Sequence, residues 1–111
     1  MVSTVILMAW MKYLADRARV SRLSTEQLRL IVAKPANLDF RFAFAELSMR
    51  GIDMGIVQQS LVDMLVSSDD KERCLGLERL RDICPGLRHV YFEESPRDLQ
   101  ALVQVILERK G

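Results

Sequence analysis

A run of cap-and-break signals divides this chain into helix-sized segments, and the sharpest of them is Ser95-Pro96-Arg97-Asp98. Ser95 offers an N-cap hydroxyl, Pro96 is already fixed at helical φ in the first turn, and Asp98 sets a carboxylate at the positive end of the helix that follows. Behind them Leu99, Leu102, Val103 and Ile106 recur at i, i+3, i+4 and i+7, one apolar stripe on a helix running to about Arg109. The same grammar upstream predicts an all-α fold of about six helices.

A first helix is expected from near Ser3 to about Arg19, with Ile6, Trp10, Tyr13 and Leu14 on one face and Leu7, Met11 and Ala18 beside them. Its first half is apolar nearly all round, so it is either wedged between layers or meets another chain. Leu23-Ser24-Thr25-Glu26-Gln27 reads as a capping box before Leu28, Leu30, Ile31 and Val32, and Pro35 stops that second helix. Asn37 or Asp39 caps a third segment in which Phe40, Ala43, Phe44 and Leu47 share a stripe, and Gly51 ends it in the left-handed conformation. Asp53 opens a fourth, with Val57, Leu61, Met64 and Leu65 inward; the short Gly51-Ile52-Asp53 link predicts a hairpin. Ser67-Ser68-Asp69-Asp70 closes it and caps a fifth, where Leu77, Leu80 and Ile83 face inward before Cys84-Pro85-Gly86 breaks the helix.

Between Gly86 and Ser95, Val90, Tyr91 and Phe92 have strand propensity. One strand without a partner makes no sheet, so this stretch is expected to be an extended connector packed on the core. The alternative is a small mixed α/β fold with a strand near residues 89–93, for which Val5 to Met8 would be the natural partner. In the helical reading, Leu80 and Leu102 are buried in one core.

With 111 residues the chain is the usual size of one domain, and residues 1–111 are read as a single helical domain able to bury roughly two-thirds of its unfolded surface. Half the residues are apolar and 28% are charged, which fits neither disorder nor a membrane-embedded class. The formal charge of +1 is unevenly placed: residues 1–34 carry Lys12, Arg17, Arg19, Arg22, Arg29 and Lys34 against Asp16 and Glu26, and so sum to +4. Cys74 and Cys84 lie roughly 15 Å apart along one helix, too far for a disulfide, and are read as buried free thiols. The Val5-to-Met11 run is too short to span a bilayer and lacks the flanks of a signal peptide, so a cytoplasmic location is expected.

Leu65-Val66-Ser67-Ser68-Asp69-Asp70-Lys71-Glu72-Arg73 resembles the inter-repeat turn of the HEAT and armadillo-like superfamily, in which a leucine-rich helix end, an acidic turn and an arginine entering the next helix succeed one another. Gly76, Leu80 and Ile83 then stand where that pattern asks for a small residue, a leucine and an aliphatic. An upstream echo in Asp39-Phe40-Arg41 sets Arg41 and Arg73 32 positions apart, within the range of helical repeats. The likeness covers roughly residues 38–109 and implies a short array of antiparallel helical hairpins. Glu72 in place of an aliphatic, the bulk of Phe44 and the long connector before Ser95 depart from the pattern.

No constellation for catalysis is visible. His89 is the single histidine, the two cysteines lack the spacing of a zinc clamp, and the glycines stand singly rather than in a phosphate loop. On an extended connector His89, Tyr91 and Glu93 line up while Glu94 is turned away, so they are read as a solvent-facing polar edge, and Met8, Met11, Met49, Met54 and Met64 as gap-fillers of the core. No catalytic, cofactor-binding or metal-binding residue is therefore assigned. The expected function is a non-catalytic protein-interaction or scaffold module, with Val5, Leu7, Met8 and Met11 as its interface and a homodimer or another protein as the partner. The competing arrangement encloses the first helix within one chain. The alternative function is a small nucleic-acid-binding or regulatory domain using Arg17, Arg19, Arg22 and Arg29, although no aromatic residue is interleaved with them for stacking.

Overall fold

A computed structural model describes residues 3–91 and 94–109. Among these the chain is all-α, with six helices, one 3-10 turn and no strand, so the mixed α/β alternative falls. Phe92, read above for its strand propensity, and Glu93, a member of the proposed polar edge, lie outside the described residues. Contacts divide the chain into two compact units, Met1–Ile52 and Asp53–Gly111.

The first unit contains α1 (Thr4–Ser21), α2 (Thr25–Val32) and α3 (Phe40–Met49). Ser3 starts α1 by accepting the Ile6 N–H at 3.2 Å. The capping box of α2 is complete: Ser24 Oγ accepts the Gln27 N–H at 3.1 Å, and Gln27 Oε1 accepts the Ser24 N–H at 2.9 Å. α3 packs against both α1 and α2, burying Val20, Leu28, Val32, Phe40, Phe42, Ala43 and Leu47. Gly51 then ends α3 at a φ of +82°, which a side chain would strain.

Neither Asn37 nor Asp39 caps α3 with its side chain. Asn37 Oδ1 instead accepts the Asp39 N–H at 2.8 Å, forming a turn, while the Asp39 carboxylate accepts from Arg19 at 2.9 Å. A charged partner from α1 has displaced the local cap. At the other end of α3, Arg50 donates to Glu46, to the Thr25 hydroxyl, and to the carbonyls of Ser21 and Leu23 at 2.8 to 3.1 Å. One guanidinium thereby satisfies carbonyls left open at the end of α1 and ties that turn to α3.

The second unit contains α4 (Gly55–Met64), α5 (Asp70–Ile83), the Pro85–Leu87 3-10 turn and α6 (Pro96–Arg109). Asp53 does open α4, its carboxylate accepting the Gly55 N–H at 2.9 Å. The turn at Ser67–Asp70 folds α5 back on α4, with Asp69 accepting the Lys71 N–H at 3.0 Å and Arg73 bound to the Ser67 carbonyl and to Asp70. Gly76 lets the two helices approach: a Cβ there would lie 2.9 Å from Met64 Cβ and 3.0 Å from the Leu61 carbonyl. Leu61, Val62 and Leu65 of α4 and its end meet Leu77, Leu80 and Cys84 in a core completed by Met54, Leu87, Val90, Leu99 and Val103.

Ser95 caps α6 as its sequence demands: its Oγ accepts the Asp98 N–H at 3.4 Å, and its hydroxyl donates to the Asp98 carboxylate at 2.6 Å. Leu102 corrects the expected stripe: Leu80 is buried, but Leu102 is 43% exposed. α6 meets α4 and the 3-10 turn, a narrow contact filled by Leu99 and Val103, and Leu102 lies on its rim. Cys74 is likewise exposed, not buried, and only Cys84 points into the core; both thiols are free. Among the methionines, Met54 is buried and Met64 half-buried, whereas Met8, Met11 and Met49 are exposed and fill no core gap.

Candidate functional site

Every described residue before Tyr13 is exposed. The contacts that hold α1 come from its second half: Tyr13 meets the edge of Phe42 with ring centroids 5.4 Å apart, Arg19 reaches Asp39, and Val20 is buried. Arg41 lies over the same two rings, 5.4 Å from the centroid of Tyr13 and 4.7 Å from that of Phe42. Beyond this anchor, Val5, Ile6, Leu7, Met8, Trp10, Met11 and Leu14 are between 46% and 77% exposed. The enclosed arrangement of the first helix is thus not what is found.

These side chains present on the order of 600 Å² of apolar surface, at the upper end of the largest patch on a typical monomer. Their arrangement is ordered by the helical turn. Tyr13, Asp16 and Val20 mark the side packed toward α3, and Leu7, Met11, Leu14 and Ala18 lie on the opposite side, spaced four, three and four residues apart. Met8 and Ala15 flank that row on one edge, and Trp10 and Arg17 on the other. Trp10 stacks on Tyr13 with centroids 5.5 Å apart and an interplanar angle of 17°, which fixes the indole on its edge. Of the interface residues expected from the sequence, Leu7 and Met11 stand in the row, Met8 beside it, and Val5 nearer the side of Asp16. Leu14 and Ala18 belong to the same row beyond the residues expected from the apolar run, and the four-three-four spacing is the signal that finds them; Trp10 joins the surface on its edge.

The basic group is dispersed. Arg17, Arg19, Arg22 and Arg29 are all exposed, but Arg19 is paired with Asp39 at 2.9 Å and with Asp16 at 3.5 Å. The hydrogen bond and the charge of Asp39 raise the Arg19 pKa above the usual arginine value, so its charge is fixed and already countered. Among the described residues no ion pair engages Arg17, Arg22 or Arg29.

Elsewhere the chemistry is sparse. A groove of about 810 Å³ beside the starts of α5 and α6 is lined by Ser67, Ser68, Arg73, Ser95, Arg97 and Gln100. Arg73 is engaged by Ser67 and Asp70, and Ser95 by Asp98, while among the described residues no ion pair engages Arg97. His89 and Tyr91 are exposed; Arg81 covers the Tyr91 ring at 5.1 Å and donates to the Val90 carbonyl, holding the connector on α5. Among the described residues there is no group of three or more His, Cys, Asp or Glu placed to hold a metal ion, and no helix is long and apolar enough to cross a membrane. Comparison with known protein families, curated proteins and solved structures finds no match.

Proposed function

We propose that this chain is a non-catalytic protein-binding module, a short HEAT or armadillo-like helical array acting in the cytoplasm, whose interface is the exposed apolar face of α1. The observation that carries the reading is the set of large apolar side chains from Val5 to Leu14, each about half exposed or more. Leaving that surface in water forfeits roughly 25 cal/mol for each Å² that a partner would cover. Supporting the repeat-like build are the folded-back α4–α5 pair, the close approach at Gly76 and the arginine-locked turn at Ser67–Asp70. Free Cys74 and Cys84 suit a reducing compartment.

The test is light scattering of the wild type beside Leu7→Glu and Met11→Glu, with capture from native lysate by each. Both positions are exposed, so both variants stay folded and lose the assembly or the partner. A strictly monomeric wild type at high micromolar concentration that retains nothing through α1 contradicts the reading.

A second reading rests on the unpaired Arg17, Arg22 and Arg29, which would meet the phosphates of a nucleic acid. That binding would fall steeply with salt, whereas apolar association through α1 would not. The commitment of Arg19 to two carboxylates, and the absence of a stacking aromatic among these arginines, weigh against it.

A further inference from the structure

We propose that the first two turns of α1, Thr4 to Met11, dock into the surface of an anionic lipid bilayer. This lies beyond the protein-binding reading, because a partner seated on the row of Leu7, Met11, Leu14 and Ala18 leaves the other sides of this tip in water.

The tip is open all round. Ile6 and Ala9 stand seven residues before Tyr13 and Asp16, on the side of α1 that packs toward α3, yet both are exposed, Ile6 at 63%. Val5, near the same side, is 77% exposed, and Leu7, Met8, Trp10 and Met11 are exposed on the remaining sides. The helix runs on past its anchor with nothing packed on it. A groove or a second helix covers one side of such a segment, whereas a layer of acyl chains surrounds it.

The chemistry along the axis is layered. From Thr4 to Met11 there is no charged residue. At the base of this stretch Trp10 stacks on Tyr13, and Lys12, Arg17 and Arg41 stand about it, with the Arg41 guanidinium 5.4 Å from the Tyr13 centroid. Apolar, then aromatic, then cationic is the order met on leaving the acyl chains of a leaflet, passing its interface and reaching its phosphates. A protein partner imposes no such order.

Charge selects an anionic lipid. Lys12, Arg17 and Arg41 are exposed, and among the described residues no ion pair engages them. Asp16, the acidic residue of α1, and Asp39 are both taken by Arg19. The base of the tip therefore offers uncompensated positive charge, and the long stems of Lys12 and Arg17 let their heads reach headgroups while the tip is immersed. Length fits docking rather than crossing. The eight residues from Thr4 to Met11 rise about 12 Å, within the hydrocarbon depth of one leaflet, roughly 15 Å.

Flotation of the full chain with vesicles tests this, using phosphatidylcholine alone and phosphatidylcholine mixed with phosphatidylserine, while Trp10 emission reports on the tip. The wild type is expected to float with the mixed vesicles and to shift its emission to the blue. Ile6→Glu, exposed and off the row, should stay equally helical and float on the order of tenfold less, since its carboxylate would enter the acyl layer. Lys12→Gln and Arg17→Gln should each weaken binding to the mixed vesicles about fivefold. A wild type that does not float even at low salt overturns the proposal; if Leu14→Glu, on the row beyond the tip, then still loses a protein that the wild type retains, the protein-binding reading stands without it. Flotation lost in Ile6→Glu, with no protein retained through Leu14, supports the lipid and removes the protein partner. Flotation unchanged in Ile6→Glu overturns the tip as the docking element, and equal binding to both kinds of vesicle overturns the part given to the cations. Self-association of the wild type that Ile6→Glu abolishes, without flotation, would put a second copy on the tip in place of lipid.

Discussion

Replacing Gly76 with alanine sets two effects of similar size against each other. Alanine is favoured over glycine inside a helix by about 1 kcal/mol, because the unfolded chain loses less freedom on folding. At Gly76 the new methyl would stand 2.9 Å from Met64 Cβ and 3.0 Å from the Leu61 carbonyl. The latter belongs to the backbone of α4, so relief requires the two helices to move apart rather than one side chain to turn. Overpacking of this kind costs about 1 to 3 kcal/mol. The balance is a net loss of about 1 kcal/mol for Gly76→Ala, growing to about 3 kcal/mol or more for Gly76→Val, whose branch adds bulk and lowers helix propensity. Urea unfolding followed by far-ultraviolet circular dichroism reads both. A gain of about 1 kcal/mol for alanine, with valine no worse than wild type, would show that α4 and α5 do not approach closely at this residue.

Leu80→Ala should lower stability by about 2 to 5 kcal/mol, whereas Leu102→Ala, on the rim of α6, should cost under about 1 kcal/mol; equal losses in denaturant would restore the broad stripe. Arg50→Ala should cost about 1 to 2 kcal/mol by orphaning the Ser21 and Leu23 carbonyls, and Arg50→Lys should recover little because an ammonium cannot spread over the same acceptors. In the native protein a thiol reagent should modify Cys74 at once and Cys84 only on unfolding, as mass spectrometry of the labelled peptides would show.

What could be read from the sequence was local. Ser24 with Gln27, Ser95 with Asp98, and Gly51 satisfy backbone groups a few residues away, so their signals survive in one dimension. Asp39 shows the limit: a carboxylate suited to capping α3 is taken by Arg19, twenty residues upstream, and no local rule anticipates that partner. Leu102 fails for a related reason. Its spacing places it on the apolar side of α6, but the width of the buried stripe is set by what α6 meets, and that contact is narrow. Cys74 lies on the flank of the α5 face formed by Gly76, Leu77, Leu80 and Cys84, so thiol chemistry alone gave no guide to its exposure. The α1 surface was half legible. An apolar run from Val5 to Met11 announces excess greasy surface, but which side is left open depends on Tyr13 and Val20 anchoring the helix to α3.

Trp10, the single tryptophan, stands on the edge of the exposed apolar row of α1 and reports directly on whether that face is covered. Quenching of its fluorescence by acrylamide, measured across a dilution series from high micromolar to nanomolar protein, is the most direct measurement. Coverage by a second copy predicts an indole shielded at high concentration that becomes freely quenched on dilution, with Met11→Glu freely quenched throughout and equally helical. An indole equally open to quencher at every concentration in wild type and variant alike would contradict it.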